Sequence, residues 1–416
     1  MRHARPLAVL TVAIAGITVW ILNGPERPPA APGVGRLSAL STAPDALDRI
    51  IANGRARVAA DPGDGEAAVL LADALMRAAR VHSDASLPIE AERALRATLQ
   101  HDPTDYTATR MLGVVYLSQH RFAAALEIAR KSSQLNPADA WNHAVAGDAL
   151  LELGRYDEAF EAFDHVMRLR PDAAAYARVA YARELQGDLE GAASLMKMAA
   201  EGTGSHDPEA LAWTYAQLGN IYLQQRRLDD ASREFDRSEY TFPLHPYARA
   251  GRVRLLIARQ QFRQALNLVD GGSRTPETAA IKGDILATLG NAAGAEAAYA
   301  ESERLEREGW AQEQPQPGAL ARFLAERGRN LPEAVKLAET AAAERQDINT
   351  LDALAWSYYR VGRVNDAATA IARATRTGTA DVRIRCHAKV IAATASGASD
   401  GVAESCNPIA IATRSH

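Results

Sequence analysis

Two 34-residue units lie end to end between Tyr106 and Ala173, and they constrain the fold more than any other feature of the chain. The first runs Tyr106–Asp139 and the second Ala140–Ala173. Gly113 answers Gly147, Ala125 answers Ala159 and Pro137 answers Pro171, each 34 positions on. A fixed period of that length marks stacked helical units rather than a single globular core.

The second unit shows why each becomes two helices. Val145, Ala146, Ala149, Leu150 and Leu153 recur at helical spacing on one face. Gly154 ends that helix, because glycine adopts the left-handed conformation that a helix C-terminus requires. Ala159, Phe160, Phe163, Val166 and Met167 form a second stripe, and Pro171 stops it. Gly147 and Ala159 are small where two antiparallel helices approach closely. Neither helix buries its stripe alone, so neighbouring units must bury it jointly.

The unit resembles the tetratricopeptide repeat. Leu112-Gly113, Tyr116, Ala125 and Pro137 match the pattern in one unit, with Ala129 where the family has an aromatic. Gly147, Gly154, Ala159, Phe163 and Pro171 match in the next, and Leu218-Gly219, Tyr222, Ala231, Phe235 and Pro243 in a later one. The resemblance implies an all-α, right-handed superhelical solenoid of about nine to ten antiparallel helix pairs over residues 44–395. The pairs begin with Glu66–Arg80 and Ile89–His101, after an opening helix at Pro44–Ala60. Gln312–Gly318 reads as a break, Asp381–Ala395 as a last helix, and residues 396–416 as a poorly ordered tail.

Residues 1–24 predict a membrane segment. Arg2, His3 and Arg5 precede an apolar run from Leu7 to Leu22, at the short limit for a spanning helix. No clean small-x-small cleavage site follows, which favours an uncleaved signal-anchor over a cleaved signal peptide. In either case the basic residues stay in the cytoplasm and the solenoid crosses. Residues 25–43, rich in Pro and Gly, read as a linker. The expected location is therefore the cell membrane, single-pass, with the solenoid on the periplasmic side. The alternative is secretion after cleavage.

In the register that the resemblance implies, first helices line a concave groove. Arg110, Trp141, Asp148, Tyr181, Trp213, Asn220, Tyr247, Arg254 and Asp284 then point inward, with Arg178 beside them. Rings flanked by guanidinium and amide groups suit an extended protein or peptide ligand. A competing reading puts Trp141 and Trp213 in the core between repeats. Asn220 fits one position of the family's two-carboxylate clamp, but Gly251 and Ile281 stand where polar or basic residues are needed, so that function is not implied. Cys386 and Cys406 are the only cysteines. They read either as a disulfide stapling the C-terminal cap or as two unpaired thiols.

No Gly-x-Ser-x-Gly, no phosphate-binding Gly-x-x-x-x-Gly-Lys and no His-Glu-x-x-His occurs. The ten histidines are scattered, His120 and His143 falling in different helices, and no metal site, cofactor or small-molecule substrate is expected. The formal net charge of −4 argues against a nucleic-acid grip, which needs a basic face. Together these features predict a non-enzymatic scaffold or adaptor at the bacterial cell envelope. The alternatives are an exported chaperone or maturation factor, and a regulatory partner of an enzyme in trans.

Overall fold

The computed structural model describes residues 44–82, 84, 86–311, 316–397 and 406–413. An opening helix, α1 (Pro44–Ala60), is followed by two antiparallel helices, α2 (Gly65–His82) and α3 (Leu87–His101). The two 34-residue units are α4 (Tyr106–Ser118) with α5 (Phe122–Leu135), and α6 (Ala140–Glu152) with α7 (Tyr156–Leu169). Next come α8 (Ala173–Leu185) with α9 (Leu189–Thr203), and α10 (Pro208–Gln224) with α11 (Leu228–Thr241). The chain continues through α12 (Pro246–Ala258) with α13 (Phe262–Asp270), and α14 (Pro276–Thr288) with α15 (Ala292–Ala311). It closes with α16 (Pro317–Arg327), α17 (Leu331–Glu344), α18 (Ile348–Arg360), α19 (Val364–Ala374), α20 (Val382–Ala395) and α21 (Pro408–Thr413). Among the described residues there are thus nine consecutive pairs, α2–α3 to α18–α19, and no strand.

The expected membrane segment and linker, residues 1–43, lie outside the described residues, as do 312–315 of the expected break. Among the described residues no helix is long and apolar enough to cross a membrane. The sequence predicts a poorly ordered tail from residue 396. The structure corrects this over residues 406–413, where Cys406 is disulfide-bonded to Cys386 and α21 packs against α12, α14 and α20.

Within a pair, a first-helix glycine receives a second-helix ring. A Cβ on Gly147 would lie 2.5 Å from Phe163, and one on Gly219 2.6 Å from Phe235. Phe235 also presses on Gly251 of the following pair, so one buried ring fixes three helices. Aspartates at the N-caps repeat with the period: Asp105 accepts from the Ala108 amide, Asp139 from Trp141 and Asp172 from Ala175. Such caps contribute about 1 kcal/mol each. Pro137 and Pro171 bar the preceding residue from the helical region, and Asn136 and Arg170 are accordingly extended, with φ −145° and −152°. Where the two helices of a pair turn, one residue is left-handed: Gly154, Gly187, Gly290 and Gly362, but also His120, Arg226 and Gln260.

The solenoid also touches itself across long sequence separations. The Gln346 amide donates to the Leu153 carbonyl at 3.2 Å, and the Ile348 amide to Tyr156 Oη at 2.8 Å. Arg376 Nη2 donates to the carbonyls of Gly154 and Gln346, both at 2.9 Å. Arg345 Nη2 reaches Glu152 Oε2 at 3.0 Å. A side chain at Gly154 would run into the Gln346 backbone, so glycine there serves both the turn and the contact. A second link joins α2 to the start of α10, where Arg80 makes a two-pronged pair with Glu209 at 2.9 and 3.2 Å, both side chains buried. One continuous core cluster in consequence contains residues from Leu47 to Phe163 and from Leu320 to Ile391.

The ring-on-glycine contact yields the first prediction. Gly219→Ala overpacks against Phe235 and should cost about 1–3 kcal/mol. Gly309→Ala, where nothing lies within 4 Å, should be neutral or gain about 0.4–1 kcal/mol. Urea unfolding of both variants measures the difference.

Candidate functional site

The inner faces of successive first helices, with part of α15, line an open cavity of about 530 Å³. Tyr181 and Glu184 of α8, Asn220 and Gln224 of α10, and Arg254 and Ile257 of α12 line it. Glu277, Ile281 and Asp284 of α14, Arg322, Phe323 and Arg327 of α16, and Arg383 of α20 complete the wall. Cys406 and the α21 residues Pro408, Ile409, Ile411 and Ala412 close one side. Pairing in the 34-residue register turns each first helix the same way, which is why residues so far apart in sequence meet here.

The wall carries six carboxylates (Glu184, Glu277, Asp284, Glu306, Glu326, Asp381) and five arginines (Arg226, Arg254, Arg322, Arg327, Arg383). Most are tied to one another. Arg254 donates to Asn220 Oδ1 and to Glu277 Oε1, each at 3.2 Å. Arg327 grips Asp284 at 3.1 and 2.6 Å, and Tyr299 Oη donates to the same carboxylate at 2.9 Å. Gln224 Nε2 donates to Glu184 Oε1 at 2.6 Å. Burial pushes the Glu184 carboxyl up to about 7; the Gln224 bond opposes the rise and the Asp381 charge adds to it. Burial likewise pushes Glu306 up to about 7, against the attraction of Arg322. The surface thus offers apolar area with balanced, mostly paired charge.

Four residues of the sequence-predicted groove come together in this wall: Tyr181, Asn220, Arg254 and Asp284. The other six do not. Trp213 and Tyr247 are corrected to core: Trp213 is 0% exposed, and both pack with Ala177, Ala216 and Phe235 in one apolar cluster. Asp148 and Arg178 are corrected to a buried ion pair, with Arg178 Nη2 at 3.0 Å and Nε at 3.1 Å from the carboxylate. An inward register position need not be an exposed one, because tight curvature brings the next first helix over it. Arg110 lies over the Trp141 ring, 4.6 Å from its centre, and pairs with Asp139 at 3.2 Å, away from the cavity.

Glu184, Glu306, Arg322, Arg327 and Arg383 line the cavity without having been singled out by the register. For Arg322, Arg327 and Arg383 the signal was the polar residue on the inner stripe of α16 and α20, where the repeat pattern is weakest, whereas Glu184 lies on α8 and Glu306 on the second helix α15. The histidine rings of His143 and His165 stack, with centres 4.9 Å apart. His387 Nδ1 lies 2.8 Å from Asp352 Oδ1, and its ring stacks on Trp356. Among the described residues no group of three or more His, Cys, Asp or Glu is arranged to hold a metal.

Two predictions follow from these buried groups. Asp148→Ala strands the Arg178 guanidinium and should lose about 3–5 kcal/mol, whereas Asp148→Leu with Arg178→Met should recover most of that loss; chemical unfolding of the two variants checks it. For Glu184 the folded carboxyl holds its proton to about pH 7, while the unfolded chain releases it near its ordinary value of about 4.3. Between those values the folded state binds more protons, so stability falls as pH rises. Glu184→Gln should therefore shrink the drop in melting temperature between pH 5 and pH 8, as read by calorimetry.

Comparison with known proteins agrees with this architecture. Residues 145–208 match the family model described as tetratricopeptide repeat. Residues 89–166 match the one described as anaphase-promoting complex, cyclosome, subunit 3. Human tetratricopeptide repeat protein 36 is 38% identical over 95 residues, which are 23% of this chain and 50% of the relative. The chain thus spans about half the length of the curated relative it matches. Among solved structures, a human IFIT1 dimer with PPP-AAAA aligns at 15% identity and a TM-score of 0.50, over 80% of this chain and 78% of that one. The Cut9-Hcn1 hetero-tetramer of APC/C aligns at 14% identity and a TM-score of 0.48, over 83% of this chain and 58% of that one. The comparisons thus identify tetratricopeptide repeats within residues 145–208, in agreement with the helix pairs that the structure shows there.

Proposed function

We propose that this chain is a non-enzymatic scaffold of the bacterial cell envelope that binds a protein or peptide on its concave face and helps to assemble or localise a complex. The observation that carries the reading is the cavity itself. First helices of seven pairs or caps converge on it, and they present apolar surface beside Asn220 and Arg254 rather than a set of reactive groups. Amide and guanidinium groups at the edge of an apolar surface satisfy the backbone oxygens of a bound segment while the surface buries its side chains. The near balance of arginines and carboxylates argues against a polyanionic ligand such as nucleic acid. Envelope tethering rests on residues 1–24 of the sequence, and the Cys386–Cys406 disulfide suits an oxidising compartment.

The test is a crosslinked pull-down from cell envelopes. The full chain is compared with an Asn220→Ala/Arg254→Ala variant of matching melting temperature. A discrete partner captured by the wild type and lost by the variant is expected. Equal capture by both would move the binding surface off the concave face. A broad smear of captured proteins would favour the exported chaperone instead.

A further inference from the structure

We propose that α21 is a self-ligand of the concave face: in the disulfide-bonded chain it occupies the place that a short aliphatic helix of a partner protein takes. The inference rests on the concave-face reading above and names the character of the ligand and what competes with it.

Three observations converge on α21. The first is its place. Ile409, Ile411 and Ala412 line the same cavity as Asn220 and Arg254. Ile409 and Ala412, three residues apart and so on one helical face, pack on the apolar cluster of Val253, Ile257 and Ile285. The second is its weak integration. It has six residues, none of them fully buried, and so short a helix does not hold itself together in water. The helices of each pair α2–α3 to α18–α19 pack on one another, whereas α21 touches only α12, α14 and α20 among the principal helix contacts. The third is how it is held. Arg226 Nη1 donates to the Ala412 carbonyl at 2.6 Å, meeting one of the oxygens that a helix C-terminus leaves unpaired. The Cys386–Cys406 bond spans 20 residues and ties the segment to α20 beside the cavity.

The chemistry of the segment describes its competitor. Residues 407–413 read Asn-Pro-Ile-Ala-Ile-Ala-Thr, uncharged throughout. A partner segment of this kind would place two aliphatic side chains three residues apart on Ile257 and Ile285, with its terminal carbonyls at Arg226. The short covalent attachment to α20, through the chain and the Cys386–Cys406 bond together, sets the effective concentration of the internal copy on the order of millimolar, so an external segment must exceed that to enter. A dithiol opens the latch. One of its thiolates attacks a cystine sulfur, its second displaces the mixed disulfide, and it leaves as a cyclic disulfide while Cys386 and Cys406 become two thiols.

The experiment titrates a fluorescein-labelled peptide of residues 407–413 into the full chain and reads anisotropy. Three samples are compared: oxidised wild type, wild type in dithiothreitol, and Ile409→Asp/Ala412→Asp, which expels the internal copy. Binding to the aspartate variant is expected to be at least about tenfold tighter than to oxidised wild type, with the reduced chain between. Adding Arg226→Ala should weaken it again. Equal affinity for all three samples, or no binding to a variant that melts like wild type, would overturn the proposal. Should the aspartate variant melt early, Cys386→Ser/Cys406→Ser carries the same comparison with the same two outcomes. Partner capture that is indifferent to release of α21 sinks the self-ligand and spares the scaffold. Peptide binding that tracks release supports the self-ligand even where no envelope partner is captured.

Discussion

The close approach of a helix backbone to an aromatic ring is the contact on which the remaining geometry rests. A glycine on the first helix leaves room for a ring from the second, as at Gly147 with Phe163 and Gly219 with Phe235. With the ring seated, the two helices cannot rotate about their axes or slide by a turn without a clash. Phe235 extends the constraint by touching Gly251 as well, so the packing within one pair also fixes the angle to the next. Repeating that angle turns the first helices inward together, and the cavity wall follows from it. Where the ring is missing, at Ala129, Val145 of the next unit fills the space above Gly113.

Polar groups then fix what apolar packing leaves loose. Asp148 with Arg178 and Arg80 with Glu209 are buried pairs between different elements, and the partly buried Arg345 pairs with Glu152 across the contact of distant coils. Their net contribution to stability is small, because desolvating two charges offsets most of their attraction. Their effect is on register, since a displaced neighbour would strand a charge in the interior. The concave wall uses the same device more openly, with Arg254 and Arg327 each braced by a carboxylate from an adjacent helix.

Much of the fold was legible because it is local. The period, the glycine and proline punctuation and the inner stripes fix the pairs from Gly65 to Ala374 within a few residues. The cavity was legible in part. Tyr181, Asn220, Arg254 and Asp284 follow from the register alone. Trp213 and Tyr247 hold equivalent positions yet are core, because whether an inner position stays open depends on the curvature of helices that come later in the chain. Leu153 and Gln346 are a different case. Each belongs to an ordinary-looking segment beside a turn, and no pattern within a unit says that residues about two hundred positions apart will meet. The C-terminal segment was hidden for a third reason. Its small and uncharged residues lack periodicity, and only the bond to Cys386 and the surface beneath Ile409 give it a place.

The contact between Leu153–Tyr156 and Gln346–Ile348 changes the kind of object this solenoid is. An open array of repeats behaves as a spring: each unit feels only its neighbours, and small rotations add up along the axis. Here two distant coils are joined at the turn after α6 by one backbone hydrogen bond, Gln346 to Leu153, and by the side chains of Tyr156, Arg345 and Arg376. Bending at one coil must therefore be shared by the other. The middle of the chain, α7 to α17, becomes a closed hoop. A segment entering such a hoop meets a preformed opening, and strain placed on one side of it is felt on the opposite side.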